Sequence, residues 1–438
     1  MTTEWRFGLL LCLACLLVYS LNMREISAAD TRPARLLPVA LILDHRLTLD
    51  RFFADYPVGR PLPYWVQRVG GHYVSSYPIL PALLALPVYL VPVWVLGDAS
   101  WLLADALSKV SATLLAALSV LFVYLAAGQL TGDATARGVA LVYAFGTSTW
   151  SVSSQGLWGH GPAQLFLAAS LYYTILGERG GRGMFGLAGL ATGLMIASRP
   201  PTVIVGAALL AYAVHREPRR GALSVLWCAV GALPVLAYNV LVFGSPQGGY
   251  AWINATHASF HGVEGVWSTS LGEGLAGILV SPSRGLFVYS PVLLFALAGL
   301  VMARRHPRRR FFGVMAAAWI ASLLMLAKYS VWWGGHSFGP RLLTDFLPLS
   351  VLFLVPAWNR LERSRPLQGG FLVLLAVSVF VQAVGAFYYP SSWDRDWDKT
   401  PRDVDFAHER LWDWGDPQIV RLLRNGPHSL WHGLTGGS

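Results

Sequence analysis

Charge is what this sequence has least of. Only 13% of its 438 residues are Asp, Glu, Lys or Arg, against 55% hydrophobic, whereas a soluble domain carries about a quarter charged residues. That balance excludes a cytosolic enzyme and a disordered chain, and with a mean hydropathy of +0.49 the bilayer is the solvent. Lysine is nearly absent, with Lys109, Lys328 and Lys399 the only three, so arginine supplies almost all of the excess of 33 basic over 23 acidic residues. The positive residues cluster in short loops between apolar runs and form no continuous face, a pattern of membrane topology and not of nucleic-acid binding. Cysteine is scarce too. Cys12, Cys15 and Cys228 all lie within apolar segments and lack the spacing of a disulfide framework or a metal site. No HExxH, GxSxG or phosphate-cradling glycine loop occurs, and no repeat of fixed period. Neither a metal nor any other cofactor is expected.

What the sequence has is long apolar runs, at 7–23, 77–97, 104–127, 138–152, 161–177, 184–198, 201–214, 222–243, 286–303, 311–327, 342–357 and 369–388. A hydrocarbon core takes about 20 residues of helix to cross. The first run resembles a signal peptide, with Arg6 ahead of it and Ser27-Ala28-Ala29 behind, but so many later runs favour an uncleaved first helix. The arginine-rich loops 215–220, 304–310 and 360–365 are placed in the cytoplasm by the positive-inside rule. Segments 24–76, 244–285, 328–340 and 389–438 then fall outside. Twelve full crossings would break this parity. The run 77–97, with Pro78, Pro81, Pro87 and Pro92, is expected not to cross fully, which leaves about eleven spans.

The first outer loop, 24–76, reads as folded. Pro33–Leu43 and Leu47–Phe53 have the spacing of short surface helices, and Tyr64-Trp65-Val66 with His72-Tyr73-Val74 around Gly70-Gly71 reads as a hairpin. The tail from Ser391 alternates Trp393, Trp397, Trp412 and Trp414 with Asp394, Asp396, Asp398, Asp413 and Asp416. It is too aromatic for disorder and is expected to pack on the outer face.

Asp30 stands just past the first run, where partly apolar surroundings predict a raised pKa and a general-base role; alternatively, it caps the helix beginning near Pro33. Arg199, Arg284, Lys328 and Arg341 stand apart from the cytoplasmic clusters, at the ends of apolar runs on the outer side. Cations there face a polar cavity or snorkel to headgroups, and an arginine fork fits a lipid phosphate. Arg199, Arg284 and Arg341 are expected to point into one cavity, with Lys328 and His336 nearby. The segment Trp332-Trp333-Gly334-Gly335-His336 offers an aromatic platform and a close turn for a sugar ring, although Trp also belongs at any membrane interface. Trp158-Gly159-His160 is a smaller version, in which His160 is a cap, a structural partner or a base.

Taken together, these residues resemble the GT-C glycosyltransferases: a first span, an outer loop opening with an acid and carrying surface helices, then Tyr77-Pro78-Ile79-Leu80-Pro81 at the head of an apolar run. The protein O-mannosyltransferase and aminoarabinose transferase branches are the nearest. Gly-Leu-Phe-Val-Tyr-Ser-Pro at 285–291 and Gly-Gly-His-Ser-Phe-Gly-Pro-Arg at 334–341 are similar to segments of bacterial members. Two departures stand out. Asp30-Thr31 replaces the adjacent acidic pair of the mannosyltransferases, and Ser76-Tyr77-Pro78 replaces the Lys-Pro-Pro of the aminoarabinose transferases. The second outer loop offers Gln155 and His160 in place of the paired acids of oligosaccharyltransferases, so no catalytic metal is expected there.

The resemblance implies an all-α polytopic fold of about eleven transmembrane helices, with a GT-C-like domain over 1–388 and an extracytoplasmic tail over 389–438. It implies an inverting transfer of one sugar from a polyprenyl-phosphate donor to a hydroxyl of a glycan, lipid or protein acceptor. The active site would face outward from a bacterial inner membrane, with no nucleic-acid partner. In these terms Asp30 is the base; Arg199, Arg284, Arg341 and Lys328 hold the donor phosphate; and Trp332, Trp333, His336, His160 and Tyr77 contact sugar or acceptor. The rival class is a transporter or flippase of lipid-linked sugars, for which the paired, interrupted halves are absent. A non-catalytic scaffold that binds a partner through its tail is the third reading.

Overall fold

The computed structural model describes residues 3–26, 28–57, 59–97, 99–181, 183–261, 263–390 and 399–427. Trp393, Trp397, Asp394, Asp396, Asp398 and Ser27 lie outside the described residues. The molecule is mostly helical, and its one sheet among those residues is a two-stranded hairpin.

Among the described residues, four helices are long and apolar enough to cross a membrane: Trp101–Gly128, Pro218–Phe243, Arg309–Lys328 and Arg365–Tyr388. A fifth is counted if Arg341–Leu352 and Leu354–Glu362, bent by 49°, form one broken span. Trp101–Gly128 starts where the Ser100 hydroxyl accepts the Leu103 N–H, satisfying one of the first-turn donors. It then runs 28 residues without proline. Pro218–Phe243 has only 11% of its apolar window buried, and Leu10, Leu17, Trp94, Leu241 and Leu372 point outward. Apolar side chains exposed in this number face hydrocarbon, which marks an integral membrane protein.

Several expected runs are interrupted, each for a local reason. The run 138–152 stops as a helix at Phe145 and continues as the π-type turn Thr149–Ser153. The run 286–303 breaks at Ser290-Pro291, because proline drives the residue before it out of the helical region; Ser290 has φ −139°. Pro356 removes a backbone donor just after the 49° bend in 342–357. The proline-rich run 77–97 forms a continuous helix, Leu80–Leu96, of 17 residues.

The first loop is folded, with the first expected helix and the hairpin in place, whereas Leu47–Phe53 forms only a four-residue 3-10 turn. Helix Arg32–Asp44 is followed by the 3-10 turn Asp50–Phe53 and by strands Val66–Val69 and His72–Ser75, paired antiparallel across Gly70-Gly71. Helix Arg32–Asp44 buries residues 33–40, so it packs into the bundle as well as along its surface. Arg35 fastens it there, pairing with Glu25 at 2.9 Å and with Asp105 on the long helix, while Ser108 donates to Glu25. Arg24 donates to the Tyr389 carbonyl, and Asn22 to Gln155 and to the Ala386 carbonyl. These ties fix the chain on both sides of Asp30.

Helix His160–Glu178 defines two ends. At its foot, Glu178 pairs with Arg216 and Arg308, one from each of two arginine-rich loops. At its head, His160 meets Asp345. Nineteen residues separate these ends by about 28 Å at 1.5 Å per residue, close to the thickness of a hydrocarbon core.

Candidate functional site

A cavity of about 810 Å³ opens at the head of that helix. Its wall carries Asp30 and Tyr64 from the first loop, Tyr77 just past it, Arg199, Tyr250, and Arg341 with His336. The size suits one small ligand.

Asp30 lies in the 3-10 turn Ala29–Thr31 and does not cap the following helix, whose N-cap is Thr31; the Thr31 hydroxyl donates back to the Ala28 carbonyl and makes no capping bond. Its carboxylate faces the cavity. Arg341 Nη1 donates to Oδ2 at 2.6 Å and the Tyr64 hydroxyl to Oδ1 at 2.6 Å. The expectation of a raised pKa is therefore corrected. Burial alone would push the carboxyl up, but the Arg341 charge, with hydrogen bonds from Tyr64, Arg341 and Tyr77, holds it well below the usual carboxylate range. Asp30 is ionised at every physiological pH. The Tyr64 hydroxyl is moved the other way, upward, by burial and by the Asp30 charge.

Arg341 is held from three sides. Besides Asp30, it donates through Nη2 to the Gly334 carbonyl at 2.5 Å, and its guanidinium stacks 4.6 Å from the centre of the Trp158 ring. Its Nε is buried and has no hydrogen-bond partner among the described residues. Gly334 and Gly335 have φ of +76° and +66°, a left-handed pair that glycine adopts without strain, and the turn brings the Gly334 carbonyl under the guanidinium. Arg199 lies past the end of helix Met184–Ser198. Its Nε donates to Asp345 Oδ2 at 3.1 Å, while His160 Nδ1 lies 2.7 Å from Oδ1. Asp345, 1% exposed, thus braces an arginine of the cavity wall from behind.

The remaining candidates are placed differently. Arg284 does not line the cavity, which corrects the expectation of three arginines facing one space. It is 1% exposed, and its guanidinium donates to the carbonyls of Trp333 (2.9 Å), Ser283 (2.8 Å) and Gly335 (3.1 Å). Three neutral acceptors make it a fastener of the glycine turn. Lys328 ends helix Arg309–Lys328, half-buried and outside the lining. Trp332 and Trp333, 3% and 2% exposed, present no free ring face to a sugar. They cross edge to face, Trp332 packs on Trp412, and Trp333 packs on His408 and donates to Asp405. The aromatic side chains that do face the cavity are Tyr64, Tyr77, Tyr250, Trp267, Tyr329 and Phe406. His160 is buried behind the wall, whereas Tyr77 and His336 line it.

Sequence reasoning missed Asp345, Tyr64, Tyr250, Asp403 and Asp405. For Asp345 a signal existed: a carboxylate within an apolar run is as costly as the arginines that were singled out. Among the described residues, His336, Asp403 and Asp405 form the one group of His, Cys, Asp or Glu whose ligand atoms converge closely enough for a metal, all within 4.8 Å.

A helical membrane bundle with a folded first loop and an acid-and-arginine cavity is the architecture that the sequence resemblance implies, and two comparisons carry that resemblance. Residues 106–243, under a third of the chain, match the family model described as dolichyl-phosphate-mannose-protein mannosyltransferase. In structure, the chain is similar to the Archaeoglobus fulgidus oligosaccharyltransferase, in crystals with zinc and sulfate (TM-score 0.56, 14% identity, 96% of this chain and 58% of that one). A second crystal structure of that enzyme, tethered to an acceptor peptide, gives a TM-score of 0.55 at 12% identity over 87% of this chain and 55% of the other. ArnT from Cupriavidus metallidurans gives 0.54 at 16% identity over 84% and 61%. The similarity is to the GT-C glycosyltransferase fold, and the chain spans a little over half the length of these structures. A search of curated proteins finds no match.

Proposed function

We propose that this chain is a polytopic membrane glycosyltransferase that moves a sugar from a polyprenyl-phosphate donor to an acceptor hydroxyl on the extracytoplasmic side. The observation that carries the reading is the cavity in which the ionised Asp30 sits against Arg341, with Arg199 on the same wall. We read about eleven spans in all, with shorter apolar helices such as Arg6–Ser20 and Met184–Ser198 crossing beside the long ones. The arginine-rich end around Glu178 faces the cytoplasm, and the cavity faces outward from a bacterial inner membrane.

In this mechanism Arg341 and Arg199 take the donor phosphate as charge builds on the leaving group. The anomeric carbon passes through an oxocarbenium-like state and is attacked from the opposite face with inversion. Asp30 orients the acceptor hydroxyl as a hydrogen-bond acceptor and receives its proton late, when bond formation has made that proton strongly acidic; a weakly basic carboxylate suffices there. Tyr77, Tyr250 and His336 line the space left for sugar and acceptor. Purified protein incubated with synthetic polyprenyl-phosphate sugars should release polyprenyl phosphate and form a glycoside of inverted anomeric configuration. Intact donor after incubation with a panel of acceptors, or movement of donor across vesicles without bond cleavage, would reject the enzyme reading.

A further inference from the structure

One group of chemically active side chains on the cavity wall joins His336 to two carboxylates that have no part in that mechanism. His336 belongs to the glycine turn, and Asp403 and Asp405 belong to the outer segment 67 and 69 positions further along. His336 Nε2 lies 2.8 Å from Asp403 Oδ1 and 3.6 Å from Asp405 Oδ2. All three residues line the cavity.

We propose that His336, Asp403 and Asp405 bind a divalent transition-metal ion, zinc or manganese, at the wall of this cavity. Three observations carry the proposal. The first is spacing. Ligands about 2.0–2.2 Å from one ion stand roughly 3.0–3.5 Å apart from each other; the two separations from His336, 2.8 and 3.6 Å, lie close to that range, and all three ligand atoms lie within 4.8 Å of one another. The second is orientation. Trp333 Nε1 donates to Asp405 Oδ1 at 2.7 Å and leaves Oδ2 toward His336, an outer partner of the kind that metal sites use, and the Asp405 N–H donates to Asp403 Oδ1 at 2.9 Å, which ties the two carboxylates to one another. The third is electrostatic. Asp403 and Asp405 bring two carboxylates to one imidazole in a partly buried wall, charge that a divalent ion offsets. One imidazole and two carboxylates with no thiolate suit zinc or manganese rather than copper(I) or an iron–sulfur cluster, and the nitrogen ligand disfavours magnesium.

With three protein ligands the ion keeps an open position toward the cavity, for water or for a ligand oxygen. It also clamps the segment that carries Asp403 and Asp405 to the turn whose Gly334 carbonyl holds Arg341. Metal uptake is read without sugar transfer, so the proposal stands independently of the enzyme reading.

The test uses the full chain in detergent, stripped with EDTA and desalted. Titration with Mn²⁺ followed by electron paramagnetic resonance, and with Zn²⁺ followed by elemental analysis after gel filtration, should each give one ion per chain. The thermal unfolding midpoint should rise with bound metal, and Mg²⁺ at the same concentration should not reproduce that rise. Asp403→Asn and His336→Ala should each weaken binding at least tenfold. If the variants fail to fold, diethyl pyrocarbonate labelling of the wild-type chain decides: Zn²⁺ should protect His336. Absence of saturable uptake, uptake unchanged in the variants, or His336 labelled equally with and without Zn²⁺ would overturn the site and leave a plain imidazole–carboxylate contact.

Discussion

Arg341 and Asp30, 311 positions apart in sequence, meet through a 2.6 Å ion pair on the cavity wall. Each depends on the other. The arginine keeps the carboxylate ionised, and the carboxylate compensates a guanidinium that would otherwise stand partly buried with only a carbonyl and an indole for company.

That pairing sets the pH dependence. The folded-state pKa of Asp30 lies below the unfolded value, about 3.9. The stabilisation is therefore fully present above about pH 5 and is lost as pH falls through the unfolded value toward the folded one. Sugar transfer should show no acid limb from Asp30 between pH 5 and 8. A limb near pH 6 that disappears in Asp30→Asn would mean the carboxyl titrates high and the pairing does not hold in solution.

Asp30→Asn should lower turnover roughly a hundredfold or more, on the scale of losing a positioned proton acceptor. Asparagine can still accept the Tyr64 hydroxyl bond but cannot balance the Arg341 charge. Tight binding of the donor with slow turnover is the expected pattern, since the freed guanidinium remains available to phosphate. Near-normal turnover in a folded variant would remove Asp30 from the chemistry.

Arg341 and Arg284 should separate cleanly. Arg341→Ala removes a cavity cation and should raise KM for a polyprenyl-phosphate donor about tenfold or more, the scale of a charge-assisted hydrogen bond worth 1.5–3 kcal/mol. Arg284→Ala leaves three buried carbonyls short of their donor and should lower the unfolding midpoint, with KM for the donor preserved in whatever protein remains folded. Equal donor-affinity losses in two equally stable variants would restore Arg284 to the phosphate site.

How much of this was legible beforehand follows from the range of each interaction. The helix Arg32–Asp44 and the hairpin at Gly70-Gly71 are local, set by apolar spacing and turn chemistry over a dozen residues, and the sequence shows both. Asp30, Arg199 and Arg341 were visible because charge at the end of an apolar run is costly wherever it occurs. Which cation faces the cavity was not. Arg284 and Arg341 look alike in sequence, and only the fold places three carbonyls around one and a carboxylate beside the other. The raised pKa expected for Asp30 failed for the same reason, since burial is local in its signal whereas the compensating arginine arrives from 311 positions away. His336 with Asp403 and Asp405 is likewise a product of tertiary structure, invisible to any spacing rule.

Asp345 bears the heaviest structural demand in the site, because one fully buried carboxylate serves both Arg199 and His160. Asp345→Asn keeps the shape but removes the charge that compensates Arg199, and losing one partner of a buried pair costs about 3–5 kcal/mol. A large drop in the unfolding midpoint is expected, together with weaker donor binding as Arg199 loses its brace. Arg199→Ala in the same background should then cost little more, since residues sharing one ion pair do not contribute additively. Unfolding midpoints for the two single variants and the double variant check this. If the two losses simply add, Asp345 and Arg199 act separately, and Asp345 is not what positions the arginine.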